Sequence, residues 1–88
     1  MAKPKGKAAK LLEAYASGER EFSKWKLKGA ELTGAYLVGA VLEKADLTEA
    51  HLGQARLSSA DLRGAKLDRA YLVQADLENA NLEDASIT

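Results

Sequence analysis

The chain has no cysteine, which excludes a disulfide framework and any thiolate metal site. Its single proline, Pro4, lies in the opening stretch, and its single histidine, His51, stands alone. No charge of one sign prevails: 13 lysines and arginines balance 13 carboxylates. That argues against a nucleic-acid binder, which would show a basic face, and equally against an acidic mimic of DNA. No run nears the roughly 18 apolar residues of a membrane span. The lysines near the start are followed by no apolar block of about 7 residues, so a secretory signal is not expected. The default compartment is the cytoplasm. At 88 residues the chain is read as one domain.

What it has instead is a period of five. Leucine occupies every fifth position from Leu27 to Leu82, and Ile87 keeps the phase. Two residues before each of these, from Ala30 to Ala85, stands an alanine; Trp25 alone breaks the rule. On an α-helix five residues advance about 500°, which scatters the leucines around the cylinder. On a flat strand successive leucines would point to opposite faces. A short extended step followed by a bend gives one buried face. Residues two apart then share a side, so Ala30 and Leu32 both point inward. If each quintet turns the chain by about 90°, four close a coil of twenty residues that stacks at the strand spacing of about 4.8 Å.

The charges test that coil independently, because stacked opposite charges stabilise and like charges repel. From Trp25 onward the charged pairs twenty apart are Lys26–Asp46, Asp46–Lys66, Glu43–Arg63, Arg63–Glu83, Glu49–Arg69 and Arg56–Asp76. Every one is opposite in sign. At separations of fifteen and twenty-five, like charges outnumber opposite ones, which selects four quintets per coil.

The segments Ala45-Asp46-Leu47, Ala60-Asp61-Leu62, Ala75-Asp76-Leu77 and Ala80-Asn81-Leu82 resemble the pentapeptide-repeat family, whose consensus is alanine, aspartate or asparagine, leucine and two variable residues. The resemblance covers residues 25–88. It implies an all-β solenoid, a right-handed quadrilateral β-helix, here of about three coils. The stretch from Leu11 to Phe22 is similar to the leader that precedes such repeats in small bacterial, often cyanobacterial, members.

Residues 1–7 hold Pro4, Gly6 and three lysines and read as a disordered basic tail. Over residues 8–18 the spacing predicts a short α-helix, with Leu11, Leu12 and Tyr15 on one face and Ser17-Gly18 as the stop signal. Alone it would be too short to persist in water, so it is expected to cap the β-helix of residues 19–88. Phe22 lies five before Leu27 and takes the first inward position. Trp25 is too large for the gap between coils and is expected to pack beside Leu12 or Tyr15. Gly29, Gly34 and Gly39 close the first quintets, where a turn calls for positive φ.

Among the outward positions Tyr36, Val38 and Val41 form one apolar group and Tyr71 and Val73 another, both candidate partner surfaces. His51 falls between Glu31 and Tyr71 with no further ligand or nucleophile nearby, so neither a metal site nor a catalytic role is expected. The last repeats leave the layer of Leu77, Leu82 and Ile87 uncovered and a strand edge open. Such an edge invites pairing with another copy: either the natural protein continues beyond Thr88 or two copies stack end to end, and of these a two-fold homodimer through the C-terminal coil is the expected solution.

An interior of leucine and alanine offers no cavity, and the outward ladders hold no nucleophile–base pair. No enzyme activity and no cofactor are expected. The reading is a structural or protein-interaction module with an unknown protein partner, and no nucleic acid or membrane. The family resemblance supplies an alternative, since one branch mimics DNA, binds gyrase and confers quinolone resistance. Those members are long and acidic, unlike this short neutral chain.

Overall fold

The computed structural model describes residues 5–88. From Glu21 onward a bridge recurs every five residues, always parallel and always to the residue twenty further on. It begins with Glu21 and Val41, continues with Lys26 and Asp46, Glu31 and His51, Tyr36 and Arg56, and ends with Lys66 and Ser86. The coil therefore contains twenty residues. The first coil spans 20–39, the second 40–59 and the third 60–79, while 80–88 open a fourth.

Each quintet bends in the same way. After the inward leucine come two turn residues, and the next alanine donates its N–H back to the leucine carbonyl, at 3.0 Å from Ala50 to Leu47 and from Ala55 to Leu52. The second turn residue has positive φ whether or not it is glycine: Lys44 has φ 60°, Glu49 59° and Ser59 60°. An i to i+3 bond with positive φ only at the third residue is a type II turn. A side chain in that region costs about 1–2 kcal/mol, so a strong opposing interaction is required at every corner.

The stacked backbone supplies it. In the quintet 45–49, Asp46 donates its N–H to Trp25 O in the coil below at 2.9 Å. Leu47 and Glu49 donate upward to Lys66 O and Asp68 O at 2.7 and 2.9 Å, and Ala45 closes the preceding turn. One N–H of the five is left over, that of Thr48. The Asp46 carboxylate accepts it at 3.1 Å.

Leucine and alanine fill the interior. Leu27 to Leu67 and Ala35 to Ala65, at their five-residue positions, are all buried, and no polar or charged residue is buried among the described residues. Full burial of a leucine stabilises by about 1.5–3 kcal/mol. The alanines stand where the chain turns back, a corner that leaves room for only a methyl group.

The helix α1 (Gly6–Ala16) closes the base of the first coil. It begins two residues before the expected Ala8, so Gly6 and Lys7 belong to the helix and not to a tail; Met1–Pro4 lie outside the described residues. No side chain caps its first turn, and its stability therefore comes from packing. Ala8 and Leu11 are buried against the core, with Leu12, Ala14 and Tyr15 partly buried. At its end Gly18 takes φ 106°, and Glu19 and Gly18 donate to Ala14 O and Tyr15 O at 3.0 Å each. This is a Schellman stop. Arg20 reinforces it, bonding Tyr15 O at 3.0 Å while its guanidinium lies 3.6 Å from the Tyr15 ring centroid.

Two glycines separate the demands of the turn. Gly64 has φ 68° and a Cβ there would lie 3.2 Å from Lys44 Cγ, whereas Gly53 is not left-handed and its Cβ would meet nothing nearer than Val73 O at 3.7 Å. Gly53→Ala should therefore stabilise by about 0.4–1 kcal/mol through the unfolded chain, and Gly64→Ala should destabilise by more than that. The two urea midpoints, read against the parent protein, check both signs.

Candidate interaction surface

The twenty-residue coil arranges the outward residues in columns. Lys26, Asp46 and Lys66 form one ladder, Glu31, His51 and Tyr71 a second, and Tyr36, Arg56 and Asp76 a third. Ion pairs follow the columns: Arg69 lies 3.6 Å from Glu49 and Arg63 lies 4.0 Å from Glu43. Arg63 makes its firmest contacts within its own quintet, two bonds of 2.7 and 2.8 Å to the Asp61 carboxylate. That bidentate pairing raises the Arg63 pKa. Gln54 and Gln74 add an uncharged rung at 3.0 Å.

The carboxylates of the repeat have a structural duty. Like Asp46, Asp61, Asp76, Asn81 and Glu31 each accept the N–H two residues on, at 3.0–3.2 Å. Bonds from Thr48, first its side chain and then its N–H, hold the Asp46 carboxyl below the usual range. Thr33 does the same for Glu31, and the Arg63 side chain leads for Asp61. Asp68 accepts from the Ser86 hydroxyl and from Thr88 Oγ1 at 3.1 Å, and these bonds lower its pKa, Ser86 most. They tie the last residues to the third coil.

The apolar outward residues divide. Tyr71 is 57% exposed and Val73 73%, and they lie two residues apart on one wall. Tyr36 is 55% exposed, but its ring meets Tyr15 of α1 edge-on at a centroid distance of 6.1 Å. Val38 and Val41 are partly buried, which departs from their expected outward exposure. The Tyr15 hydroxyl donates to Val38 O at 2.6 Å, so the helix lies over that corner. Val41 stands between Glu21 and Asp61 in its column. The Tyr71–Val73 wall is thus the freer of the two candidate surfaces.

Phe22 is buried and meets Trp25 edge-on at 5.2 Å. Trp25 is partly buried at the base of the stack. The Lys7 ammonium of α1 lies over its ring, 5.5 Å from the centroid. His51 stacks on Tyr71 with centroids 4.7 Å apart, and its Nδ1 is 3.6 Å from Glu31. Among the described residues no group of three or more histidines and carboxylates could hold a metal ion.

At the far end Leu77 and Leu82 are only partly buried, and Ile87 is 54% exposed. The N–H groups of Leu72, Gln74, Leu77, Asn79, Leu82 and Asp84 point along the stack with no partner among the described residues. Residues 70–88 carry four carboxylates, Asp76, Glu78, Glu83 and Asp84, and no lysine or arginine. Among the described residues no helix is long and apolar enough to cross a membrane.

A family model described as pentapeptide repeats matches residues 26–64 and 55–88. Among solved structures, a pentapeptide repeat protein from Nostoc Pcc 7120 is similar, with a TM-score of 0.54 and 31% identity over 91% of this chain and 94% of that one. No curated protein matches the chain.

The lowered carboxyl pKa values fix a pH dependence. A carboxylate with a lower pKa folded than unfolded contributes stability above its unfolded value, and that contribution is lost as pH falls through the folded one. The urea midpoint should therefore be flat above the ordinary carboxyl values of 3.8–4.5 and decline as the pH drops below them. Asp46→Asn, which keeps the acceptor for Thr48 but not its charge, should lower the midpoint at pH 7 slightly and flatten the acid decline, whereas Asp46→Ala should lower the midpoint at pH 7 further. Equal losses for both variants at pH 7 would contradict the hydrogen-bonding role.

Proposed function

Since the chain belongs to the pentapeptide-repeat family, we propose that it works without chemistry of its own, as a small rigid module that binds another protein along its wall. Membership supports a right hand and a four-sided section for the coil, and a structural or interaction role. The observation that carries the reading is the exposure of Tyr71 and Val73 side by side on a wall whose other outward residues are mostly polar. Tyrosine supplies contact area at a low entropy cost, and its hydroxyl tolerates water in the unbound state. The interior supports the same reading, since leucine and alanine side chains occupy it and polar groups do not.

The backbone beneath this patch is fixed: Leu52 donates to Tyr71 O and Gln54 to Val73 O, both at 2.8 Å. A surface held by its own ladder changes shape little on binding, which limits the ordering cost. Tyr71→Ser and Val73→Ser remove side chains that lie outside the leucine core, at the cost of the Tyr71 contact with the His51 ring. Both should leave the urea midpoint within about 0.5 kcal/mol of the parent protein and weaken capture of a specific partner in pull-downs from a host lysate. Tyr36→Ser should disturb the helix contact as well and so cost stability. Undiminished capture by the Tyr71→Ser, Val73→Ser double variant would contradict this wall as the binding surface.

A further inference from the structure

The two ends of the stack are complementary to each other. Between stacked coils, the leucine and the second turn residue of a quintet donate upward to carbonyls of the next coil, and from His51 onward the residue before each leucine donates downward to an alanine carbonyl. Among the described residues the last coil leaves the first half of this pattern without a backbone partner, in the upward N–H groups from Leu72 to Asp84, together with the carbonyls of Ala70, Ala75 and Ala80. The basal coil has the second half unsatisfied. The N–H groups of Lys26, Glu31 and Tyr36 and the carbonyls of Lys26, Lys28 and Thr33 have no backbone partner among the described residues. Seating one basal coil on one terminal coil would continue the ladder that joins the coils inside each molecule.

Charge agrees. The chain is neutral overall, but residues 5–30 hold seven lysines and arginines against three glutamates, while residues 70–88 hold four carboxylates and no cation. Lys24, Lys26 and Lys28 are exposed around the base, and Glu78, Glu83 and Asp84 around the top. A two-fold pairing of terminal coils sets carboxylates against carboxylates; a head-to-tail stack sets them against lysines.

The helix α1 occupies the base. Ala8 and Leu11 cover its leucine layer, and the Tyr15 hydroxyl takes Val38 O, a carbonyl that a lower coil would otherwise satisfy. We propose that the terminal face of this protein binds the basal face of a second copy, and that α1 is the lid that blocks this contact. A heterologous contact of this kind does not close on itself, so an unlidded chain grows. The lid makes growth conditional on its displacement, and anything that draws Leu11 away from the core would start it.

The test is sedimentation velocity on the 88-residue chain and on Leu11→Glu, which places a charge in the buried seat of the helix. In low salt the folded variant should form a ladder of species beyond the dimer, while the parent protein does not. Raising the salt should shift the variant back toward smaller species, because the attraction is between opposite charges. Glu78→Lys with Glu83→Lys, added to Leu11→Glu, should remove the ladder. If Leu11→Glu loses its β circular dichroism, Tyr15→Ala with Arg20→Ala loosens the helix while keeping Leu11, and the same ladder is expected from it. A folded lid variant that stays monomeric, that stops at a dimer, or that associates more tightly as salt rises overturns the proposal. The last two results would assign the terminal face to two-fold pairing instead.

Discussion

The parallel pairing of each residue with the one twenty further on is the constraint on which everything else depends. A quintet has no stable conformation alone: its strand segment is a single bridge and its turn places side chains in the left-handed region at Lys44, Glu49, Gln54 and Ser59. Stacking converts these short pieces into a structure, because each quintet then donates one N–H down, two up and one across its own turn. The same stacking brings Leu32, Leu52 and Leu72 into one column and so removes apolar surface from water. Hydrogen bonding and burial share one register here, and neither survives a shift of the other. The repeat is also why the ends matter, since each interior coil leans on two neighbours and each end coil on one.

The aspartate of the repeat follows from the same accounting. Four of the five N–H groups in a quintet find backbone acceptors, and the fifth needs a side chain. Asp46, Asp61, Asp76 and Asn81 reach it from two residues earlier, as an Asx turn does. Alanine fits the corner, leucine fills the interior and aspartate or asparagine satisfies the leftover donor. The two variable positions are the ones the fold leaves free for charge ladders and contact residues, such as Val73.

Much of this was legible in the sequence because it is periodic. The leucine spacing required a bend every five residues, and opposite charges at a separation of twenty set the number of quintets per coil. Gln54 with Gln74 and Asp68 with Thr88 are also twenty apart and bond along their columns, but an uncharged partner leaves no sign alternation to mark them. The start of α1 was hidden because Gly6 and Lys7 have the composition of a tail, and only packing of Ala8 against the core draws them into the helix. The bond from Tyr15 to Val38 O has no signature at all, since its acceptor is a backbone carbonyl and any residue could provide one. The phase of Val38 and Val41 in the repeat points them away from the leucine core but carries no sign of the helix lying over the Val38 corner.

Amide hydrogen exchange tests the register most directly. The account predicts that the N–H groups of Leu42, Leu47, Leu52 and Leu57, each bonded to the coil above at 2.7–2.8 Å, exchange slowest, opening only with global unfolding. Those of Leu72, Leu77 and Leu82, in the same phase of the repeat but with no coil above them, should exchange orders of magnitude faster. Equal protection along the whole leucine series, or protection that alternates every second residue as in a flat sheet, would contradict the stacked twenty-residue coil.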